Sequence, residues 1–291
     1  MSTDGSPRST SIFFGHHKAA TSWIIKVLSD LAYLNHFRFK VINTAAELDP
    51  SLIARLLSGR TPFLVFRNSD RAYLDKLGPF RGFHIIRDPR DIIVSSYFSH
   101  LKTHPTTNWP ELAEHQASLK ALPFDEGLIA DMKFCAKLPT AGFAVRPFQC
   151  LRDWDYDNPS ILELRYEEIF QCPYETFLEV FRFLEVLDPA ELGFKSLVNH
   201  ITRIVRSRLP LVGQRTAPSI PTWNLLTALY ENRFTKMAGG RSRGDENKDS
   251  HYRKGVAGDW KNYFNEAHKD FFKRQFGDLV VQLGYATDNQ W

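Results

Sequence analysis

The sequence is poor in what would tie it to an oxidising compartment, a metal cage or a membrane. Its three cysteines, Cys135, Cys150 and Cys172, stand far apart. Such spacing suits neither a disulfide framework nor a zinc-ligand pattern, so the thiols read as reduced and mostly buried, which favours the cytosol. No stretch approaches the roughly 18 apolar residues of a membrane span. The opening MSTDGSPRST has no apolar segment of the kind a signal peptide needs. A cytoplasmic protein with no membrane partner is expected. Charge of one sign is scarce too: 37 Lys and Arg against 33 Asp and Glu leave +4. The cations are dispersed, without a basic stripe interleaved with aromatics, so no nucleic-acid partner is expected. No internal repeat is visible. The oligomeric state, monomer or homodimer, stays open.

What remains is an ordinary globular composition, 43% hydrophobic over 291 residues, enough for a full core in one large domain. Residues 1–10 read as a disordered tail and 11–291 as a single domain. Short apolar runs at 11–15, 37–42, 62–66, 83–86 and 161–164 read as strands. Helical spacing recurs over 20–34, 45–57, 92–101, 109–122, 124–138 and 174–187, with Asn43 or Thr44 as the expected N-cap of the second. Alternating strands and helices give an α/β fold, a central parallel sheet with helices on both faces. The segment 189–238 reads as helix broken by prolines, 239–250 as a polar loop mobile without ligand, and 265–283 as one long helix.

Three stretches suit anions. Gly15 to Trp23, GHHKAATSW, follows a strand and opens a helix whose first N–H groups lack intrahelical partners. Ala19 and Ala20 are small enough for close approach, Thr21 and Ser22 bring hydroxyls, and Lys18 brings a charge. The competing reading is an ordinary strand–helix turn that contains a lysine. Phe83 to His100, FHIIRDPRDIIVSSYFSH, places Arg87 just past a strand. Ser95 lies about two helical turns further on, so guanidinium and hydroxyl can converge on a phosphate monoester. Here the competing reading pairs Arg87 with Asp88 or Asp91. Tyr252 to Phe264, YRKGVAGDWKNYF, puts Arg253 and Lys254 beside Gly255; a solvated loop is its alternative.

In this order the three stretches resemble the sulfotransferase family, whose members use 3'-phosphoadenosine 5'-phosphosulfate (PAPS) and release the bisphosphate PAP. The resemblance runs from about Ile12 to Gly284. It implies a P-loop-like phosphosulfate-binding turn at Ala19–Ser22, with Lys18 as the catalytic lysine. It implies Trp23 and Tyr166 beside the adenine, and Phe234, with Met237, next to the nucleotide. Arg87 and Ser95 would bind the 3'-phosphate, and Arg253, Lys254 and Gly255 would close over it. Two positions depart from the family. Phe66-Arg67-Asn68 stands where Lys-Thr-His is usual, so the general base is missing from its place. Asn265-Glu266 stands where the dimer segment commonly has Thr-Val.

The implied activity is in-line transfer of the sulfuryl group from PAPS to a hydroxyl or amine of a small organic acceptor. Positioning and charge stabilisation would supply most of the catalysis, with no metal. His17, adjoining Lys18, is the first candidate base, ahead of Asp70 and His100. The alternative is a non-catalytic PAP- or PAPS-binding member without a base. A Walker NTPase fits poorly, because the lysine precedes the small residues and the second glycine is absent. The acceptor would be shaped by the segments 100–109, 137–154 and 206–223.

Overall fold

The computed structural model describes residues 10–37, 39–44, 47–57, 63–140, 146–188 and 219–291. Most of the tail lies outside these, but Thr10, expected in it, is the first residue of strand β1 (Thr10–Phe14). The other sheet strands are β2 (Phe39–Ile42), β3 (Phe63–Phe66), β4 (Phe80–Ile86) and β5 (Ile161–Arg165), all parallel in the order β2-β3-β1-β4-β5. Side chains alternate across a strand, and both sets are apolar. Phe13, Val65, Phe83 and Ile85 pack on one face against α1 (Thr21–Asn35) and the helices Pro173–Phe183 and Thr222–Glu231. Ile12, Phe14, Leu64 and Phe66 pack on the other, against Leu52, Tyr73 and Trp154. Burial on both faces explains why these strands read as continuous apolar runs. Each buried Phe or Leu contributes about 1.5–3 kcal/mol.

The chain turns from β3 across β1 to β4, so the carboxyl ends of β1 and β4 flank the place where the winding reverses. Ligands in open parallel sheets bind there. Gly15 and Arg87 directly follow those two strands. A further apolar cluster joins α3 (Pro89–Phe98) and the helix Phe124–Lys137 to the helix Glu266–Phe276 and to Trp260. It anchors the C-terminal loops beside the sheet. Among the described residues no helix is long and apolar enough to cross a membrane.

Several boundaries differ from expectation for local reasons. The helix expected over 45–57 is α2, Pro50–Leu57. Asn43 and Thr44 do not cap it; their N–H groups donate to Glu47 Oε1 at 2.8 and 3.2 Å. Asp49 caps instead, accepting from Leu52 N at 2.7 Å, with Pro50 preset for the first helical turn. The helix expected over 92–101 becomes a π turn at Ser99–Thr103. The C-terminal helix breaks at Gly277, where φ is +63°, into Glu266–Phe276 and Leu279–Gln282. Residues 239–250 carry no helix or strand, and Arg241 ties them down by donating to the carbonyls of Asp245, Tyr252 and Arg253. The chain from 189 to 218 lies outside the described residues; after it come Thr222–Glu231 and Phe234–Met237.

Candidate functional site

The turn after β1 is built tightly. A Cβ on Gly15 would lie 2.6 Å from Thr21 Oγ1 and 2.9 Å from the Phe66 carbonyl oxygen. Gly15 can therefore donate to that oxygen at 2.9 Å and accept from Ser69 N at 2.8 Å, which pins the turn to the end of β3. Lys18 and Ala20 then take left-handed φ values of 62° and 60°, a conformation that costs a residue with a Cβ roughly 1–2 kcal/mol. Ala20 is the N-cap of α1, and the Thr21 hydroxyl donates to the His16 carbonyl at 2.9 Å. The Trp23 and Ile24 amides donate to the Ala20 carbonyl at 2.9 and 3.0 Å, which leaves the Thr21 and Ser22 amides as the first-turn N–H groups without intrahelical acceptors.

A cleft of about 220 Å³ opens over this turn. Of the residues expected at the site, His17, Lys18, Ala20, Thr21, Ser22 and Trp23 line it from one side. Arg87, Ser95 and Tyr166 line it from the β4 and β5 ends, and Phe234, Met237, Arg253, Lys254 and Gly255 from the C-terminal side. Ala19 is the exception: it is fully buried in the core, and its N–H turns back to the His16 carbonyl.

Arg87 does not pair with the aspartates beside it. Asp88 is taken by Arg90, at 2.8 Å from Nη2. Asp91 accepts from the Gly258 and Trp260 amides at 2.7 and 2.8 Å, tying the C-terminal loop to the start of α3. Arg87 instead donates to the Lys18 carbonyl at 3.1 Å and lies 4.3 Å over the Tyr166 ring. Its buried Nε has no hydrogen-bond partner among the described residues. Burial, and after it the Arg87 charge, push the Lys18 pKa down to about 8, although Asp131 and Cys135 oppose this. The two cations are thus held near each other at an energetic cost, which an anion between them would relieve.

An aromatic wall lies beside them. The Tyr166 and Phe170 rings are 4.5 Å apart and Trp23 is 5.1 Å from Phe170; Trp23 is fixed by donating to the Asn232 carbonyl at 2.7 Å. On the far side Gly255 has φ +68°, and a Cβ there would come 2.4 Å from the Phe234 ring. Arg253 and Lys254 share Asp259, at 2.5 and 2.6 Å, and Arg253 also meets Glu246. Among the described residues the cleft is lined by five cations, Lys18, Arg67, Arg87, Arg253 and Lys254, and by no carboxylate.

Sequence reasoning missed the histidines. His16, His104 and His251 line the cleft with His17. His17 is held well below the usual imidazole range by burial first, then by Lys18, His100 and His104. Burial, with Lys18 adding, also lowers His104 to about 4 and moves His251 down. His100 does not reach the cleft lining. It is fully buried and bound to Asp131 at 2.7 Å, and His115 meets the same Asp131 oxygen at 3.0 Å. These three side chains hold donor atoms within 4.8 Å of one another, and the hydrogen bonds to Asp131 account for their closeness. Asp70 is also off the cleft lining; it caps the 3₁₀ turn Arg71–Lys76, accepting from Ala72 N at 2.9 Å. Asn68 does line the cleft, beside Arg67.

Among the solved structures that resemble the chain are two complexes with PAP. One is mouse sulfotransferase SULT7A1 complexed with PAP: 16% identity, TM-score 0.49, covering 94% of this chain and 85% of that one. The other is retinol dehydratase in complex with androsterone and inactive cofactor PAP: 15% identity, TM-score 0.45, covering 94% and 81%. No family model and no curated protein matches the chain.

Proposed function

We propose that the protein is a PAPS-dependent sulfotransferase acting on a hydroxyl or amine of a small organic acceptor. The observation that carries this reading is the cleft, which no carboxylate lines among the described residues. Its lining sets Lys18 on the turn after β1, Arg87 at the end of β4 and Arg253 with Lys254 on the C-terminal loop, beside an aromatic wall of Trp23, Phe170 and Tyr166. That chemistry suits a purine nucleotide with anionic groups on two sides. The orphaned Arg87 Nε and the depressed Lys18 ammonium fit such a ligand, since both gain a partner from it.

PAPS, when bound, supplies the sulfuryl group that the acceptor displaces in line. The chain's part is to position and to stabilise charge. The Lys18 ammonium and the first amides of α1 would meet negative charge at the 5' end, and preorganised donors of this kind contribute about 3–4 kcal/mol each to a transition state. Arg87 and the Ser95 hydroxyl would hold the 3'-phosphate, and Arg253, Lys254 and Gly255 would cover it. Phe234 closes on Gly255 and confines the base. Asn68 at the cleft favours the second reading, a PAP-binding protein that transfers nothing. Incubation with sulfur-35-labelled PAPS and a panel of phenols, alcohols and amines decides between them. Label on any acceptor, lost in Lys18→Ala, supports transfer; unlabelled acceptors throughout would contradict it.

A further inference from the structure

Behind the cleft runs a chain of hydrogen bonds that the mechanism above leaves unused. His16 Nε2 lies 2.6 Å from His84 Nε2. His84 Nδ1 lies 2.6 Å from Glu163 Oε2. Glu163 Oε1 accepts from Trp154 Nε1 at 2.9 Å. The elements explain the alignment: His16 follows β1, His84 is on β4 and Glu163 on β5, and His84 and Glu163 are register partners in adjacent strands. Both imidazoles are buried, at 1% and 0% exposure, while the Glu163 side chain keeps 26%.

Resting on the transfer reading above, we propose that His16 takes the proton of the acceptor hydroxyl and that His84 and Glu163 draw it away, Glu163 ending as the carboxylic acid. Tautomer logic gives the direction. A neutral imidazole has one N–H and one acceptor nitrogen. When Glu163 is ionised, His84 Nδ1–H donates to it. His84 Nε2 is then the acceptor in the contact with His16, so His16 Nε2 carries the hydrogen and Nδ1 is bare. Because Nε2 is committed to His84, Nδ1 is the nitrogen left for the cleft that His16 lines. When Glu163 is protonated the whole chain reverses and His16 Nδ1 carries a hydrogen.

The proton balance closes. The acceptor O–H bond breaks, its electron pair stays on oxygen, and the proton bonds to His16 Nδ1. The His16 Nε2 proton passes to His84 Nε2, and the His84 Nδ1 proton passes to Glu163 Oε2. Both histidines end neutral, the carboxylate ends as a carboxylic acid, and one negative charge has moved to the acceptor oxygen. No imidazolium is left in the buried site, where burial holds both histidines far below the usual range. Glu163 is faced by His84, Trp154, Tyr156 and Asp155. Burial first, with Asp155 adding and the Trp154 hydrogen bond opposing, raises it to about 8. Asn68, which also lines the cleft, offers no nitrogen that accepts a proton near neutral pH.

The test needs no acceptor. Nitrogen-15 NMR of imidazole-labelled protein, free of nucleotide, reads each ring nitrogen from pH 6 to 10. His16 Nδ1 is expected to change from protonated to bare as Glu163 ionises, and the isosteric Glu163→Gln variant is expected to remove that step. A His16 signal that ignores pH, or one that titrates identically in Glu163→Gln, would overturn the relay. Turnover gives the second readout, with PAPS and phenol, whose hydroxyl stays protonated near neutral pH, as probe. Glu163→Gln should lower kcat about 10- to 100-fold with KM for PAPS unchanged, and imidazole should restore part of the loss in His16→Ala, general-base contributions being on the order of 100- to 10,000-fold. Wild-type kcat in Glu163→Gln would contradict the proposal. PAP-induced thermal stabilisation of the same samples reads the nucleotide site alone, so its loss identifies failure of the transfer reading rather than of the relay.

Discussion

Arg87 donates from Nη1 to the Lys18 carbonyl at 3.1 Å, so the residue after β4 holds the turn after β1. One cation fixes the backbone that carries the other. Removing Arg87 should therefore weaken the ligand at both ends. Arg87→Ala is expected to reduce PAP affinity about 10- to 100-fold, from a charge-assisted bond of roughly 1.5–3 kcal/mol. Lys18→Ala should also weaken PAP, though by less than Arg87→Ala because the Arg87 guanidinium keeps its own contact, and should abolish transfer. Calorimetric titration of both variants checks the split; equal losses of binding in the two would contradict it.

The Lys18 pKa near 8, lowered first by burial and then by Arg87, gives a pH signature. Below pH 8 Lys18 is charged in the free protein. Between about 8 and its unperturbed value it is neutral when free and charged beside an anion, so PAP binding takes up a proton there. Affinity should fall as pH rises above 8. Titration at pH 8.5 in buffers of differing ionisation enthalpy should show proton uptake that vanishes in Lys18→Met. The linkage to folding has the matching sign. The unfolded chain binds the extra proton in this window, so the Lys18 contribution to stability rises with pH above 8.

Gly255 and Phe234 form a paired constraint. A methyl group at Gly255 would stand 2.4 Å from the ring, on a backbone with φ +68°. Gly255→Ala should cost at least tenfold in PAP affinity by displacing the loop, with little change in overall stability. Phe234→Ala in the same chain should relieve the collision but not the backbone strain. The double variant is then expected to bind PAP less poorly than the two single losses together predict. Additive losses would show that ring and loop act separately.

Ala20 sits at φ 60° as the N-cap of α1. Ala20→Gly removes the left-handed penalty and adds unfolded-chain freedom, for a net gain of about 0.5–1 kcal/mol. Urea unfolding measures it; a destabilised variant would mean that the methyl group packs usefully.

Much of the frame was legible in the sequence. The apolar runs mark all five strands of the main sheet because both faces are buried, and the small residues ahead of α1 announce the turn. Arg87 and the Arg253–Gly255 loop were readable because a strand end or a glycine stood beside each, and Ser95 because two helical turns past Arg87 bring it back toward the strand end. The aspartates were misleading: the sequence offers Asp88 and Asp91 to Arg87, yet one serves Arg90 and the other two backbone amides. The histidine chain was invisible because it is assembled through strand register. His16, His84 and Glu163 are far apart in sequence, and only the parallel pairing of β1, β4 and β5 sets them in line. Phe170 was missed for a local reason: the short helix Tyr166–Ile169 turns its ring onto Tyr166, four residues back.

The central claim is that this cleft binds a nucleotide carrying phosphate on both sides of its sugar. Thermal unfolding with PAP, ATP and AMP, each at the same saturating concentration, tests it most directly. A ligand held 100-fold above its dissociation constant stabilises by about 2.7 kcal/mol. The account predicts such a shift with PAP, a much smaller one with AMP, and none with ATP. Equal stabilisation by ATP and PAP, or none by PAP, would contradict it.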